Sequence, residues 1–323
     1  MHRPAAAAVP WHWSALADTW TLEPVVAALA ALLAAGYLAG ARRERGWPPY
    51  RTAAFLGGLA LWVWTTCSGL GAYERVLFAD RAVQLVLLLM LVPLLLALGA
   101  PVSLLAATLP AAGRERLRAL LAGRTSRVLM FPLVSTVLLL APPWLLYFTP
   151  WYEHTLTSGP WNTGFHLVLV LIGLLYFWPR LQLDPVAHPY PLLIGVVISF
   201  VEVVFDAALA LVLLYGGHVL AEPYYASLAR DWGPTPARDQ FVGGNAIWIL
   251  GDLVGLPFLC ALIRRLIVTG RAETAAVDAA LDAAEAARPV PVAVLSETSG
   301  PPAGDRPWWL DDPNLRHRFG GRD

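Results

Sequence analysis

The run "SFVEVVFDAALAL", residues 199–211, sets Glu202 and Asp206 four residues apart inside an otherwise apolar stretch. At that spacing two side chains share one helix face. Two carboxylates on such a face can share protons, hold a cation, or hydrogen-bond to neighbouring helices, and both the structural and the ion-binding role fit the pattern. Other polar groups fall inside apolar runs as well: His166, Asn245 and Asp252. Imidazole and thiolate are the ligands that soft metals prefer, so His166 and Cys67 are the metal-ligand candidates. Cys67 and Cys260 belong near opposite ends of their helices and read as separate thiols rather than a disulfide. His154, His188 and His218 fall in loops and read as solvated. The chain carries no phosphate-binding glycine loop, no HExxH or CxxC pair and no nucleophile elbow, so the expectation is a protein that is not an enzyme.

What must position these groups is a membrane bundle. Hydrophobic residues make up 57% of the chain and charged residues only 14%, beyond the usual range of a soluble domain. Apolar runs near the roughly 20 residues that cross a bilayer lie at 25–41, 52–69, 82–100, 128–148, 163–178, 192–215 and 241–263. The expectation is an all-α fold, a polytopic bundle of about seven transmembrane helices in a bacterial plasma membrane. The formal charge of zero offers no electrostatic case for nucleic acid, leaving the lipid bilayer as the first partner.

Orientation follows from arginine, the only strongly basic residue type present. Arg42, Arg43, Arg45 and Arg51 flank one inter-helix loop, Arg114, Arg116, Arg118, Arg124 and Arg127 another, and Arg264 and Arg265 the last span. The alternate segments are poorer in arginine, and "YFTPWYEHTLTSGPWN" has none. The positive-inside rule then puts the amino terminus out and the carboxyl terminus in. Three regions are expected: an outer segment 1–24, a seven-helix membrane domain 25–268, and a cytoplasmic helix extension with a flexible tail 269–323. The tail from Pro289 onward reads as dispensable for insertion, with the Trp pair in "PWWL" available to a partner.

Depth along these spans predicts that His166, Glu202, Asp206, Asn245 and Asp252 converge on one polar pocket open to the outer face. A central acid costs about 2.5–3.5 kcal/mol on insertion scales, against about 0.3–0.6 returned by each Leu, Val or Phe. The helix therefore inserts, with its acidic face turned inward. A small proton- or cation-coupled transporter is one function that fits such a pocket. Gly251 and Gly255 form a G-x-x-x-G on the same last span, which reads as a close helix contact.

The segments "LGAPVSLL" from Leu98, "YFTP" from Tyr147, "YFWP" from Tyr176, "DPVAHPYP" from Asp184, "WGPTPARDQFVGG" from Trp232 and "PWWLDDPNLRHRF" from Pro307, taken in order, resemble the bacterial CtaG family of cytochrome c oxidase assembly factors. The resemblance covers roughly residues 47–263. It implies a seven-helix plasma-membrane protein supporting maturation of a haem-copper oxidase, with oxidase subunits as partners and copper as the metal concerned. It singles out Asp239, Gln240, Gly243 and Gly244 in "DQFVGG", and Asp252 where the family usually has glutamate. His166 matches a family histidine, whereas Arg81, Leu85, Val168 and Val201 stand where others are usual. One histidine among carboxylates suits Cu(I) poorly, so the expectation is a divergent member that keeps the fold and general role without direct copper binding.

Overall fold

In a computed structural model, which describes residues 9–185 and 192–286, the chain is helical and no strand occurs among the described residues. The chain divides into two compact units, Met1–Gly270 and Arg271–Asp323. The first begins with a single turn, α1 (Ala15–Asp18), then α2 (Pro24–Arg43), α3 (Pro49–Cys67) and α4 (Gly69–Tyr73). The next span is α5 (Phe78–Val86), one π-helical turn Leu87–Leu91, and α6 (Val92–Leu98), followed by α7 (Pro101–Thr108), α8 (Ala111–Ala122) and α9 (Arg124–Leu129). Then come α10 (Pro132–Phe148), α11 (Trp151–Thr157), α12 (Gly159–Leu181), α13 (Leu192–Tyr215), α14 (Glu222–Ser227) and α15 (Pro236–Ala286).

Among the described residues six helical runs are long and apolar enough to cross a membrane, and α10 with α11, bent by 77°, makes a seventh if counted as one span. This is a multi-pass membrane protein. The apolar run at 128–148 is not one helix: Pro132 starts α10 at its first turn, and Thr149–Pro150 breaks it before α11. Both breaks fall beside proline, whose ring disfavours helix at the residue before it, although α10 carries Pro142 and Pro143 in its interior without ending there.

α6 sits between α3 and α12, and α10 packs against α12 and α13. Pro93 has no N–H to offer the carbonyl of Leu89, and the π-turn lies directly before it. α12 closes on this turn at Gly173, where a Cβ would overlap the Leu89 carbonyl oxygen and the Pro93 ring. By contrast Gly251 and Gly255 meet no backbone. The nearest atoms to a Cβ there are Asp206 Oδ2 and Met90 Cε, both at 3.9 Å, so the G-x-x-x-G borders side chains rather than a second helix axis. On α13 the exposed Val197, Phe200, Val201, Val204 and Phe205 form one face, while Ser199, Glu202, Leu209, Ala210 and Leu213 are buried on the other. That division is the helical period turning its apolar side to lipid.

Two ends of the bundle can be distinguished. The α4 end gathers α1, α4, α11 and α14, with Tyr224 donating to the Arg75 carbonyl at 2.9 Å. The α8 end holds α7, α8 and α9, and is clasped by Tyr37 donating to the Gly99 carbonyl at 2.7 Å and Trp47 donating to Tyr37 at 3.1 Å. His188 and the tail from Pro289, with its "PWWL", lie outside the described residues.

Candidate functional site

The polar interior is built by buried ions finding partners, and it forms two clusters rather than one. At the α4 end, Glu74 follows α4 and Arg81 lies on α5. Arg81 donates to Asn162 Oδ1 at 3.1 Å and to Thr155 Oγ1 at 2.7 Å; Asn162 donates to Glu74, and His166 Nε2 stands 3.1 Å from Glu74 Oε2. All five are buried. Burial pushes the Glu74 carboxyl up, but the charge and hydrogen bond of His166, with the charges of Arg81 and Arg75, outweigh that and hold it below the usual glutamate value.

The second cluster centres on Glu202. Its Oε1 accepts from Thr136 at 2.7 Å and from Arg180 at 3.3 Å, and its Oε2 accepts from the Tyr176 hydroxyl. Arg180 also donates to Ser135 at 2.8 Å, to Thr136 at 2.6 Å and to the Tyr176 carbonyl at 3.0 Å, and lies 3.7 Å over the Tyr176 ring. Each charge is thus desolvated only in the company of an opposite charge and several dipoles, the condition under which buried ions persist.

The expected common pocket of His166, Glu202, Asp206, Asn245 and Asp252 is therefore corrected. His166 and Arg180 both lie on α12, fourteen residues and roughly 21 Å apart along its axis, so a carboxylate bonded to Arg180 does not also reach His166. Glu202, Asp206 and Asp252 do come together. They line a cavity of about 20 Å³ with Met90, Ser199 and Tyr176, room for one water-sized occupant. Asn245 turns back on its own helix, donating to the Phe241 carbonyl at 2.7 Å.

The residues of "DQFVGG" do architectural work. Asp239 accepts from the Phe78 and Ala79 amides at 2.8 and 3.1 Å, satisfying the open start of α5 from 160 residues away. Gln240 accepts from the Leu220 amide at 2.7 Å and donates to the Leu213 and His218 carbonyls, pinning the chain after α13. Gly243 lets α15 lie against Phe78, and a Cβ at Gly244 would come within 3.2 Å of Leu213. Asp184 repeats the device at the α8 end, accepting from Val102 and Ser103 at the start of α7 at 3.2 and 2.6 Å. The segments "LGAPVSLL" and "DPV" meet through that carboxylate.

Glu74, Arg81, Asn162, Tyr176 and Arg180 carry the interior network, and none of them stands out in the sequence as a pocket residue. The available signal was charge inside or beside an apolar run: Arg81 within its span, and Arg180 within two residues of the end of α12, each needing a buried acid. As copper ligands the side chains fit poorly. His166 meets Glu74 through Nε2, Cys67 lies 3.7 Å from Thr66 Oγ1 and is buried, Cys260 is exposed, and no group of three His, Cys, Asp or Glu side chains arranged for a metal occurs among the described residues.

A helical bundle with two internally paired ion clusters and long-range carboxylate caps is the architecture of a polytopic membrane protein whose interior charges serve its packing. Residues 31–269 match the family described as cytochrome c oxidase caa3 assembly factor, and the chain belongs to that family. It is also similar to an uncharacterized protein of Mycobacterium bovis, 33% identical over 258 residues, and to one of Mycobacterium leprae, 29% identical over 256 residues. In both cases the match covers 76% of this chain and 39% of the relative, so the chain spans about two fifths of the length of these relatives. No solved structure matches it.

Proposed function

We propose that this chain is a non-catalytic assembly factor of the bacterial plasma membrane that supports maturation of a haem-copper cytochrome c oxidase through contacts with oxidase subunits, without itself holding copper. Family membership supports the role in assembly. The observation that carries the finer reading is the donor set: His166 faces a buried carboxylate through Nε2 and has no second imidazole or thiol beside it among the described residues, and the two thiols are far apart in the sequence and differently exposed.

Deleting the gene and measuring assembled oxidase in membranes by its haem absorbance is the test. Loss of oxidase, restored by a Cys67→Ala, Cys260→Ala variant present at normal level, is the expected result. Unchanged oxidase on deletion would defeat the assembly role, and failure of the thiol-free variant would defeat the copper-free reading. The cavity shared by Asp206 and Asp252 favours one alternative, a small proton- or cation-coupled carrier. Cation uptake by proteoliposomes that disappears in Asp206→Asn would select it.

A further inference from the structure

At the α4 end, remote from the Glu202 cluster, a groove of about 450 Å³ opens between the amino-terminal segment, α3, α5 and α15. Its walls include Trp11, Trp13, Trp64 and Trp232, and among the described residues the charged side chains lining it are Asp80 and Asp239. Asp239 is spent: both of its oxygens hold the α5 amides, and Arg230 stands 3.9 Å away. Asp80 is not. It is 8% exposed, and its Oδ2 is fully buried and accepts no hydrogen bond. The Trp11 indole N–H lies near this carboxyl, in the same groove, and acts on it without reaching full hydrogen-bond geometry. A buried carboxylate oxygen left without a donor is costly, and a native site that keeps one at a cavity wall leaves room for a ligand that supplies it.

From this we infer that the groove is a binding site for an organic amine, with the ammonium head donating an N–H to Asp80 and its hydrocarbon lying along the indoles. The chemistry is specific in three respects. Acid walls select a cation. Tryptophan faces attract cations more than other aromatics do, and Arg230 already lies 5.0 Å over the Trp232 ring at the rim. An acceptor without a donor selects a cation that carries N–H, so a primary ammonium is preferred to a quaternary one. The volume falls within the range of small-molecule sites. The ammonium can come from a soluble amine or from an ethanolamine lipid headgroup, since the groove lies at one end of the bundle. Nothing in this inference depends on a role in oxidase assembly.

The test is calorimetric titration of the full chain, in phosphatidylglycerol nanodiscs, with n-butylammonium, with the neutral butan-1-ol and with tetramethylammonium. Saturable binding of butylammonium is expected, with the alcohol and the quaternary ion both weaker. Asp80→Asn should weaken butylammonium about tenfold, the scale of one hydrogen bond to a charged group. Trp13 is 79% exposed and meets the Trp11 ring edge-on at 4.8 Å, so Trp13→Leu removes a groove wall without opening the core and should also weaken binding. Repeating the titration in phosphatidylethanolamine nanodiscs identifies the source: suppressed binding means that headgroups occupy the site, and unchanged binding means a soluble amine. Absence of saturable binding in both lipids, equal affinity for butan-1-ol, or an Asp80→Asn variant that binds as well as wild type overturns the proposal.

Discussion

Arg180 and Glu202 illustrate how single residues behave in this interior. The guanidinium is held by Ser135, Thr136, the Tyr176 carbonyl and the Tyr176 ring, and the carboxylate by Thr136, Tyr176 and Arg180. Removing one partner strands the other in low dielectric, whereas removing both leaves only neutral hydroxyls, which keep the Pro132 carbonyl and Ser199 as partners. Arg180→Met should therefore destabilise the protein by about 3–5 kcal/mol, and Arg180→Met with Glu202→Met should recover most of that loss. Thermal unfolding of purified variants in detergent measures both. A double variant no more stable than the single would show that the pair is not the source of the loss. The pair was half legible: Glu202 stood out as an acid in an apolar run, but Arg180 sits at the end of its run, where an arginine usually marks the lipid headgroup level.

Among elements, one close joint is α12 on the π-turn before Pro93. A methyl group on Gly173 would overlap the Leu89 carbonyl oxygen and the Pro93 ring, and backbone cannot yield as a flexible side chain does. At Gly164, on the same helix, a methyl group would meet nothing within 4 Å. Gly173→Ala should cost about 1–3 kcal/mol by overpacking, whereas Gly164→Ala should be neutral or stabilising by up to about 1 kcal/mol through helix propensity. Melting temperatures of the two variants, compared with wild type, separate them, and equal effects would contradict the close joint. Periodicity located both helices but ranked the glycines wrongly. It favoured the spaced pair Gly251 and Gly255, because a glycine motif records what a helix permits and not which neighbour arrives.

For the molecule as a whole, the arginine-rich loops lie on one side of the expected topology, while Arg75, Arg230 and Arg238 are scattered at the other. Exposed Arg114, Arg116, Arg118, Arg124 and Arg127 fall on or beside α8 and α9, while the α4 end presents Trp13, Trp20, Trp151 and Trp161 at its surface. We expect the α8 end to face the cytoplasm by the positive-inside rule. Alkaline phosphatase fused after Arg271 should then be inactive, and a fusion after Gly217 in the chain following α13 should be active. The reverse pattern would invert the topology and place the tryptophan groove on the cytoplasmic side.

Composition and period sufficed for the helical class, the number of spans to within the bent α10–α11 pair, and the inward turn of Glu202, because each depends on local chemistry: apolar length against bilayer thickness, and one face of a helix against lipid. Motif order sufficed for the family. Which ions meet was decided only in three dimensions. Asp239 reaches the start of α5 across 160 residues, Asp184 reaches α7 across about 80, and His166 takes Glu74 instead of Glu202. Depth counting places a residue along the membrane normal but leaves open its neighbours around the bundle. In a low-dielectric interior the nearest opposite charge prevails over sequence proximity, and that distance exists only after the helices have packed.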